Sequence, residues 1–569
     1  MVKISTSRNA SRGISTPLVI IVVLIVIVAA CVLIFRGGGA PPGNVLRMIQ
    51  STDANSLDVD RTKMDQAMQV IALTQDTLMT YDWDMNYIPL LAENWEIGEN
   101  GLYIDWHLKE NVKFQCGEPF NAAAVVYSIR RAKSAWSVQS DTVRNILDAE
   151  VLDEYTARIY LVQWDRWLYD WFAETSSSIV CPVCGDDPAY GVSKFCGTGP
   201  FKITEWVRDT RITLARNNNY TWGPEIYQNR GPAHLDGITI EVDANNLTSE
   251  EKFFRGDVDL MIGISPRSAL IERLQTDPNV FDNFIYPRSS MSWIGFNVSS
   301  LSPEIQQSIP SDHTESPVND DRPWLQVDGV MTPDNANKGL LVRKALLYAT
   351  NKEDLLLYAW QGLGKIAYGP LTSLMWGYNS AVENMYPYDL EMAENLLAQA
   401  GYSGGSPTNL VLHLTILTTN YEPYVKECET LREQWKQVGV DLEISVRAFD
   451  DIESIIAKGQ NELFTGGYTW PNADMLWWYW HTTRVPPSPN RFWWGNGYAD
   501  NVIDNTFSYS DAVAFKAIQE SQMQVMEDAV YLPIVERPFL MPIRVDVKGL
   551  GVHPMSNFIW KQLDTYLER

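Results

Sequence analysis

The residues best suited to chemistry crowd into one part of the chain. Thr465 to Trp480 reads TGGYTWPNADMLWWYW, and Arg491 to Tyr498 reads RFWWGNGY. Tryptophan offers a broad flat face and one N–H donor, suited to stacking on sugar rings or gripping peptide side chains. Asp474 adds a carboxylate that can pair with an ammonium, and Asn472 adds an amide for neutral groups. Trp470, Asn472, Asp474, Trp493, Trp494 and, further upstream, Trp293 are therefore the candidate ligand-binding residues. Adjacent positions on a helix cannot all face one cleft, so at least one of Trp477, Trp478 and Trp480 is expected in the core. Catalytic patterns are weaker. Gly401-Tyr402-Ser403-Gly404-Gly405 has the G-x-S-x-G spacing of a nucleophile elbow. It ends a helical pattern and opens a loop, where the elbow needs strand, turn and helix. Walker A, Rossmann and H-E-x-x-H patterns are missing from the sequence. No catalytic residue, metal or cofactor is expected.

Five cysteines lie beyond the N-terminal apolar run: Cys116, Cys181, Cys184, Cys196 and Cys428. Cys181, Cys184 and Cys196 suit a disulfide within their loop first and a zinc site second, because a second pair with metal spacing is missing and no histidine lies nearby. The odd count leaves at least one thiol free or paired between chains. Asn219, Asn246 and Asn297 each open a glycosylation sequon.

These residues need a large scaffold. A chain of 569 residues exceeds one hydrophobic core and implies several lobes. Its net charge of −25 argues against a nucleic-acid partner, which would require a basic face. Leu18 to Phe35 holds no charged residue and is about long enough to span a bilayer. Lys3, Arg8 and Arg12 precede it, which places the N-terminus inside and the bulk of the chain outside. Three readings compete: an uncleaved anchor; a lipoprotein signal at Val28-Ala29-Ala30-Cys31; or a segment similar to archaeal class III signals, cleaved after Gly13. A retained hydrophobic segment is favoured, because an ordinary secretory signal has a shorter apolar core.

The stretch Pro89–Ala132 shows how the elements alternate. Leu102, Ile104, Trp106 and Leu108 alternate with polar neighbours, which predicts a strand with one buried face. Asn121 then offers a helix cap, and Ala122, Val125, Val126 and Ile129 form an apolar stripe at helical spacing. From Leu410 onward, strand, helix, strand, helix and strand follow in turn, which predicts a parallel sheet with covering helices.

The words of the chain also resemble a family. PLLAENWEI…GENGLYIDWHLKENVKFQCGEPFNAAAVVYSI is similar to the signature of the family 5 extracellular solute-binding proteins of ABC importers. Further similar stretches follow in order: Gly197-Thr198-Gly199-Pro200, where the family crosses back between lobes; the helix ending Gly256-Asp257-Val258-Asp259; Ser290–Asn297; and VRKALLYATNKEDLL. The resemblance implies an α/β bilobal, periplasmic-binding-protein-like fold of type II, preceded here by one transmembrane helix. The implied boundaries are 1–17 N-terminal region, 18–35 anchor, 36–44 Gly/Pro linker, 45–80 first lobe, 81–196 inserted subdomain, 197–290 first lobe again, 291–541 second lobe and 542–569 return to the first. It implies a cell-surface protein that delivers an oligopeptide or oligosaccharide to ABC permease subunits. Peptide binders of the family often carry an aspartate just after the strand at 462–468; Thr469-Trp470 stands there, and YTWPNADMLW looks more like the oligosaccharide-binding version. A secreted hydrolase and a pilus-like surface subunit are the more distant alternatives.

Overall fold

The computed structural model describes residues 43–569, apart from 84–85, 265, 282–283, 287, 299–331, 487 and 553–560. The expected anchor, Cys31, the cleavage after Gly13 and most of the linker lie outside the described residues. Among those described, no helix is long and apolar enough to cross a membrane.

The first lobe is built on a five-stranded sheet. Val45–Gln50 lies between Leu260–Ile262 and Gly237–Val242, parallel to both. Arg211–Arg216 and Phe201–Val207 extend the sheet antiparallel. The helix Asn246–Arg255 carries the chain between two of the parallel strands. The Asn245 side chain accepts from the Leu247 and Thr248 amides at its start, and Gly256 ends it at φ +80°, a conformation that costs a residue without Cβ little.

A four-stranded antiparallel sheet forms the inserted subdomain, ordered Ala92–Ile97, Tyr103–Leu108, Thr156–Leu161, Ile146–Asp153. Ile104, Trp106 and Leu108 are buried as their alternation predicts. Leu102 departs from it at 45% exposure, because it closes the 3-10 turn Glu99–Gly101 and precedes the strand. The helix Ala122–Ala132 packs its expected stripe inward, capped by Asn121 on the Ala124 amide at 3.3 Å.

The second lobe holds a six-stranded sheet. Leu412–Thr418 runs parallel to both Leu463–Thr469 and Val440–Val446, the predicted parallel run. Ser290–Phe296 enters antiparallel between Leu463–Thr469 and Tyr531–Glu536, so the complete sheet is mixed. The helix Leu390–Gln399 stops before Gly401, whose φ is +98°; the G-x-S-x-G stretch is a glycine-rich helix stop.

Ile285–Tyr286 pairs antiparallel with Phe539–Leu540, so the two passages that join the lobes lie side by side. The Gly197–Pro200 turn returns the chain from the subdomain to the first sheet. The Gly199 amide docks on the Thr74 carbonyl at 3.0 Å, just ahead of the edge strand Phe201–Val207. The chain ends back on the first lobe, where Val547–Lys548 pairs with Tyr566–Leu567.

Candidate functional site

A cavity of about 450 Å³ opens between the lobes. One wall grows from the central strand Leu463–Thr469 of the second lobe. Pro471 follows Trp470 and turns the chain; the Asn472 side-chain oxygen accepts from the Asp474 amide at 3.2 Å, holding the turn that starts the helix Met475–Trp480. The Asp474 carboxylate accepts from the Trp470 indole and, at 3.2 Å, from the Trp478 indole. Thr469, Trp470, Asn472, Asp474 and Trp478 all line the cavity.

The facing wall comes from the inserted subdomain. Asp165 caps the short helix Arg166–Trp171, accepting from the Trp167 and Leu168 amides at 3.1 and 3.2 Å. Trp167, Trp171 and Glu174 then face the cavity, with Lys63 and Tyr81 from the preceding chain. Asn472 bridges the walls, donating to Asp170 at 2.7 Å; Asp170 also accepts from the Tyr87 hydroxyl.

Carboxylates are crowded here. Burial pushes the Asp474 carboxyl up to about 7, against the Trp470 hydrogen bond, and the Glu174 charge pushes it the same way. Burial likewise pushes Glu174 up to about 7, against the Ser176 hydrogen bond and the Lys63 charge. Asp170 is held well above the ordinary range by burial, then by Glu174 and Asp474. Burial lowers Lys63, while Asp141 and Glu174 oppose that shift. The cavity thus combines flat indole faces with acids that a bound cation would draw into the ionised state.

The lobes meet around the cavity as well as at it. Arg166 donates to the Ser508 carbonyl at 3.2 Å and pairs with Asp511. Arg144 lies 4.4 Å from the Trp477 ring, and Arg484 reaches Asp141 at 3.6 Å. Trp167 leaves its own subdomain and is buried in the second lobe's hydrophobic core, edge-on to Phe507. This is a closed arrangement.

The structure divides the sequence-derived candidates. Trp470, Asn472 and Asp474 come together on the cavity. Trp293, Trp493 and Trp494 do not; each is at least 98% buried in the second lobe. A Cβ on Gly466 would lie 2.2 Å from the Trp293 ring, so the bare glycine backbone makes room for that indole inside the core. Trp493 and Trp494 satisfy their N–H groups internally, on the Ile456 carbonyl at 3.0 Å and Asp528 at 2.8 Å. Trp480 is buried too, while Trp477 and Trp478 are partly exposed. Asn297 is no glycosylation acceptor in the folded chain: its buried amide donates to the Gly459 and Asn461 carbonyls at 2.9 and 3.0 Å. Asn219 and Asn246 are exposed. The disulfide expected within 181–196 is not formed; Cys181, Cys184 and Cys196 are free thiols. Sequence reasoning missed Asp170, Trp171 and Glu174, although RWLYDWFAE at Arg166–Glu174 has the aromatic and acidic composition that singled out Thr465–Trp480.

Residues 86–501 match the family model described as bacterial extracellular solute-binding proteins, family 5. The chain is 24% identical over 498 residues to a heme-binding protein A of Haemophilus influenzae, covering 82% of each. It is 24% identical over 499 residues to a dipeptide-binding protein of Escherichia coli, covering 82% of this chain and 84% of that one. The fold resembles the periplasmic binding protein DppA of Helicobacter pylori in complex with the peptide STSA, with a TM-score of 0.69 at 22% identity, covering 93% and 98% of the two chains. It also resembles the substrate-binding protein CtaP of Listeria monocytogenes, with a TM-score of 0.74 at 18% identity, covering 93% and 100%.

Proposed function

The chain belongs to family 5 of the bacterial extracellular solute-binding proteins, and on that premise we propose that it captures short peptides outside the cytoplasmic membrane and delivers them to an ABC permease. The carrying observation is the acidic, tryptophan-walled cavity between the lobes, where Asp474 and Glu174 face the same space. A peptide's terminal ammonium is drawn to those carboxylates, and its side chains lie against Trp470 and Trp171. Asp474 thus supplies the acid that Thr469-Trp470 does not. The peptide-binding names among the relatives support the same reading. The role requires no bond to be made or broken, in keeping with a family of binding proteins. Micromolar capture needs about 8 kcal/mol, within reach of a few ring contacts and charge-assisted hydrogen bonds.

The cavity's indole faces favour a second reading, an oligosaccharide ligand stacked on Trp470 and Trp478. Calorimetry with di- to pentapeptides, their N-acetylated forms, and cello-, malto- and xylo-oligosaccharides separates the two. Free-amino peptides should bind best. Binding of sugars in preference to peptides, or equal binding of acetylated peptides, overturns the ammonium reading. We assign the Leu18–Phe35 run to membrane tethering. Release of the native protein by alkaline washing of membranes would refute that assignment.

A further inference from the structure

Four thiols converge at the root of the inserted subdomain, away from the cavity. Cys116, Cys181, Cys184 and Cys196 present sulfur atoms that all lie within 4.8 Å of one another, the one such cluster of potential metal ligands among the described residues. The Cys116 sulfur is 2.7 Å from that of Cys196 and 3.6 Å from that of Cys181. All four are free thiols, three buried and Cys116 exposed. The sequence reading paired Cys181-x-x-Cys184 with Cys196 and missed the fourth thiol, 65 residues upstream of Cys181.

Each part of the cluster is held by tight backbone. Cys181 and Cys184 bracket the start of a four-residue helix, where the Gly185 and Cys184 amides both donate to the Cys181 carbonyl, at 2.7 and 3.1 Å. Cys116 sits on a turn closed by the Gly117 amide on the Phe114 carbonyl at 2.8 Å, with Gly117 at φ +98°. Gln115, beside it, donates to the Thr74, Gly199 and Phe201 carbonyls at 2.8–3.2 Å. Cys196 immediately precedes the Gly197–Pro200 turn into the first sheet. Two chain segments 65 residues apart, the 114–118 turn and the 181–196 loop, thus bring their sulfurs to one point.

We propose that Cys116, Cys181, Cys184 and Cys196 form a four-thiolate site for one structural zinc ion. Tetrahedral zinc takes sulfur ligands at about 2.3 Å, so four sulfurs around one ion sit about 3.8 Å apart, a spacing between the 2.7 Å of the Cys116–Cys196 pair and the 4.8 Å outer limit of this cluster. The donor set is purely soft, which favours zinc over calcium or magnesium, and no open position is left for catalysis. Binding displaces the thiol protons to solvent and moves no electrons between groups. The ion clamps the 114–118 turn and the 181–196 loop together. Since Cys181 lies seven positions after Glu174, the clamp also fixes the segment that supplies the cavity's acidic wall.

The full chain, purified without added metal or chelator, should carry about one zinc per molecule by plasma mass spectrometry. Titration of the native protein with a mercurial should release that zinc in step with modification of four thiols, a readout that needs no variant. Cys116→Ser, at the exposed ligand, should lower the zinc content at least tenfold under dialysis and lower the melting temperature by several degrees. Cobalt reconstitution should give the intense thiolate-to-cobalt absorption of a tetrahedral site. A metal-free protein whose intact mass shows the loss of four hydrogens to two disulfides overturns the proposal. So does stoichiometric iron, or zinc that survives in both Cys116→Ser and Cys184→Ser. None of these readouts depends on the identity of the cavity's ligand.

Discussion

The ligand cavity should release protons when it binds a peptide, and the effect can be worked from two side chains. Asp474 and Glu174 both have carboxyls pushed up to about 7. Each is therefore about half protonated at pH 7 and about nine-tenths protonated at pH 6. An ammonium binds best with both ionised. The ionised fraction of each group rises about 5.5-fold between pH 6 and 7, so affinity should rise about 30-fold for the pair, or about 2 kcal/mol. The sign follows from the direction of the shift: a raised carboxyl must give up its proton to pair, so binding strengthens as pH rises. Below pH 7 the peptide's own amine stays charged and contributes little. Calorimetry at pH 7 in two buffers of different ionisation enthalpy should show about one proton released per peptide. Glu174→Gln should reduce the pH effect to about 5-fold, and an N-acetylated peptide should abolish it. Affinity that stays level from pH 6 to 7, or proton uptake on binding, would refute the placement of the ammonium between these acids.

Trp293→Ala should cost about 3–5 kcal/mol of stability in denaturant titration, while the folded fraction binds ligand with unchanged affinity. A loss of affinity without loss of stability would return Trp293 to the cleft. Asn472→Ala removes the bridge to buried Asp170 and should weaken binding by about 1–3 kcal/mol, read as a faster ligand off-rate. In a host that glycosylates secreted proteins, peptide mapping should find glycan at Asn219 or Asn246 and never at Asn297, whose amide is buried and engaged.

Local periodicity carried much of the fold. The strand Tyr103–Leu108 and the helix Ala122–Ala132 are set by the spacing of their own apolar residues, and the parallel run from Leu412 to Thr469 by the alternation of elements. What joins distant segments was not legible. Ser290–Phe296 inserts antiparallel into the second sheet, a partner choice that no local pattern encodes. At the site, Trp470, Asn472 and Asp474 were legible because one short turn holds all three. Glu174 and Asp170 come from a segment some 300 residues away, and only lobe closure brings them across. Trp293, Trp493 and Trp494 show the opposite difficulty: the broad face that suits a ligand also suits a core, and the residue type is the same in both. Cys116 stayed hidden because its partners are fixed by the fold rather than by spacing.

Trp167 sets a price on opening. It belongs to the subdomain by sequence but is packed in the opposite lobe's interior, so separating the lobes uncorks an indole into water. An aromatic side chain buries about 150–250 Å². If half of that faces the far lobe, withdrawal costs about 2–3 kcal/mol. Taken alone, that contribution favours the closed arrangement over the open one by about 30- to 150-fold. The indole is thus a stopper as well as a wall: from the closed arrangement, no solute enters until Trp167 has left the far lobe.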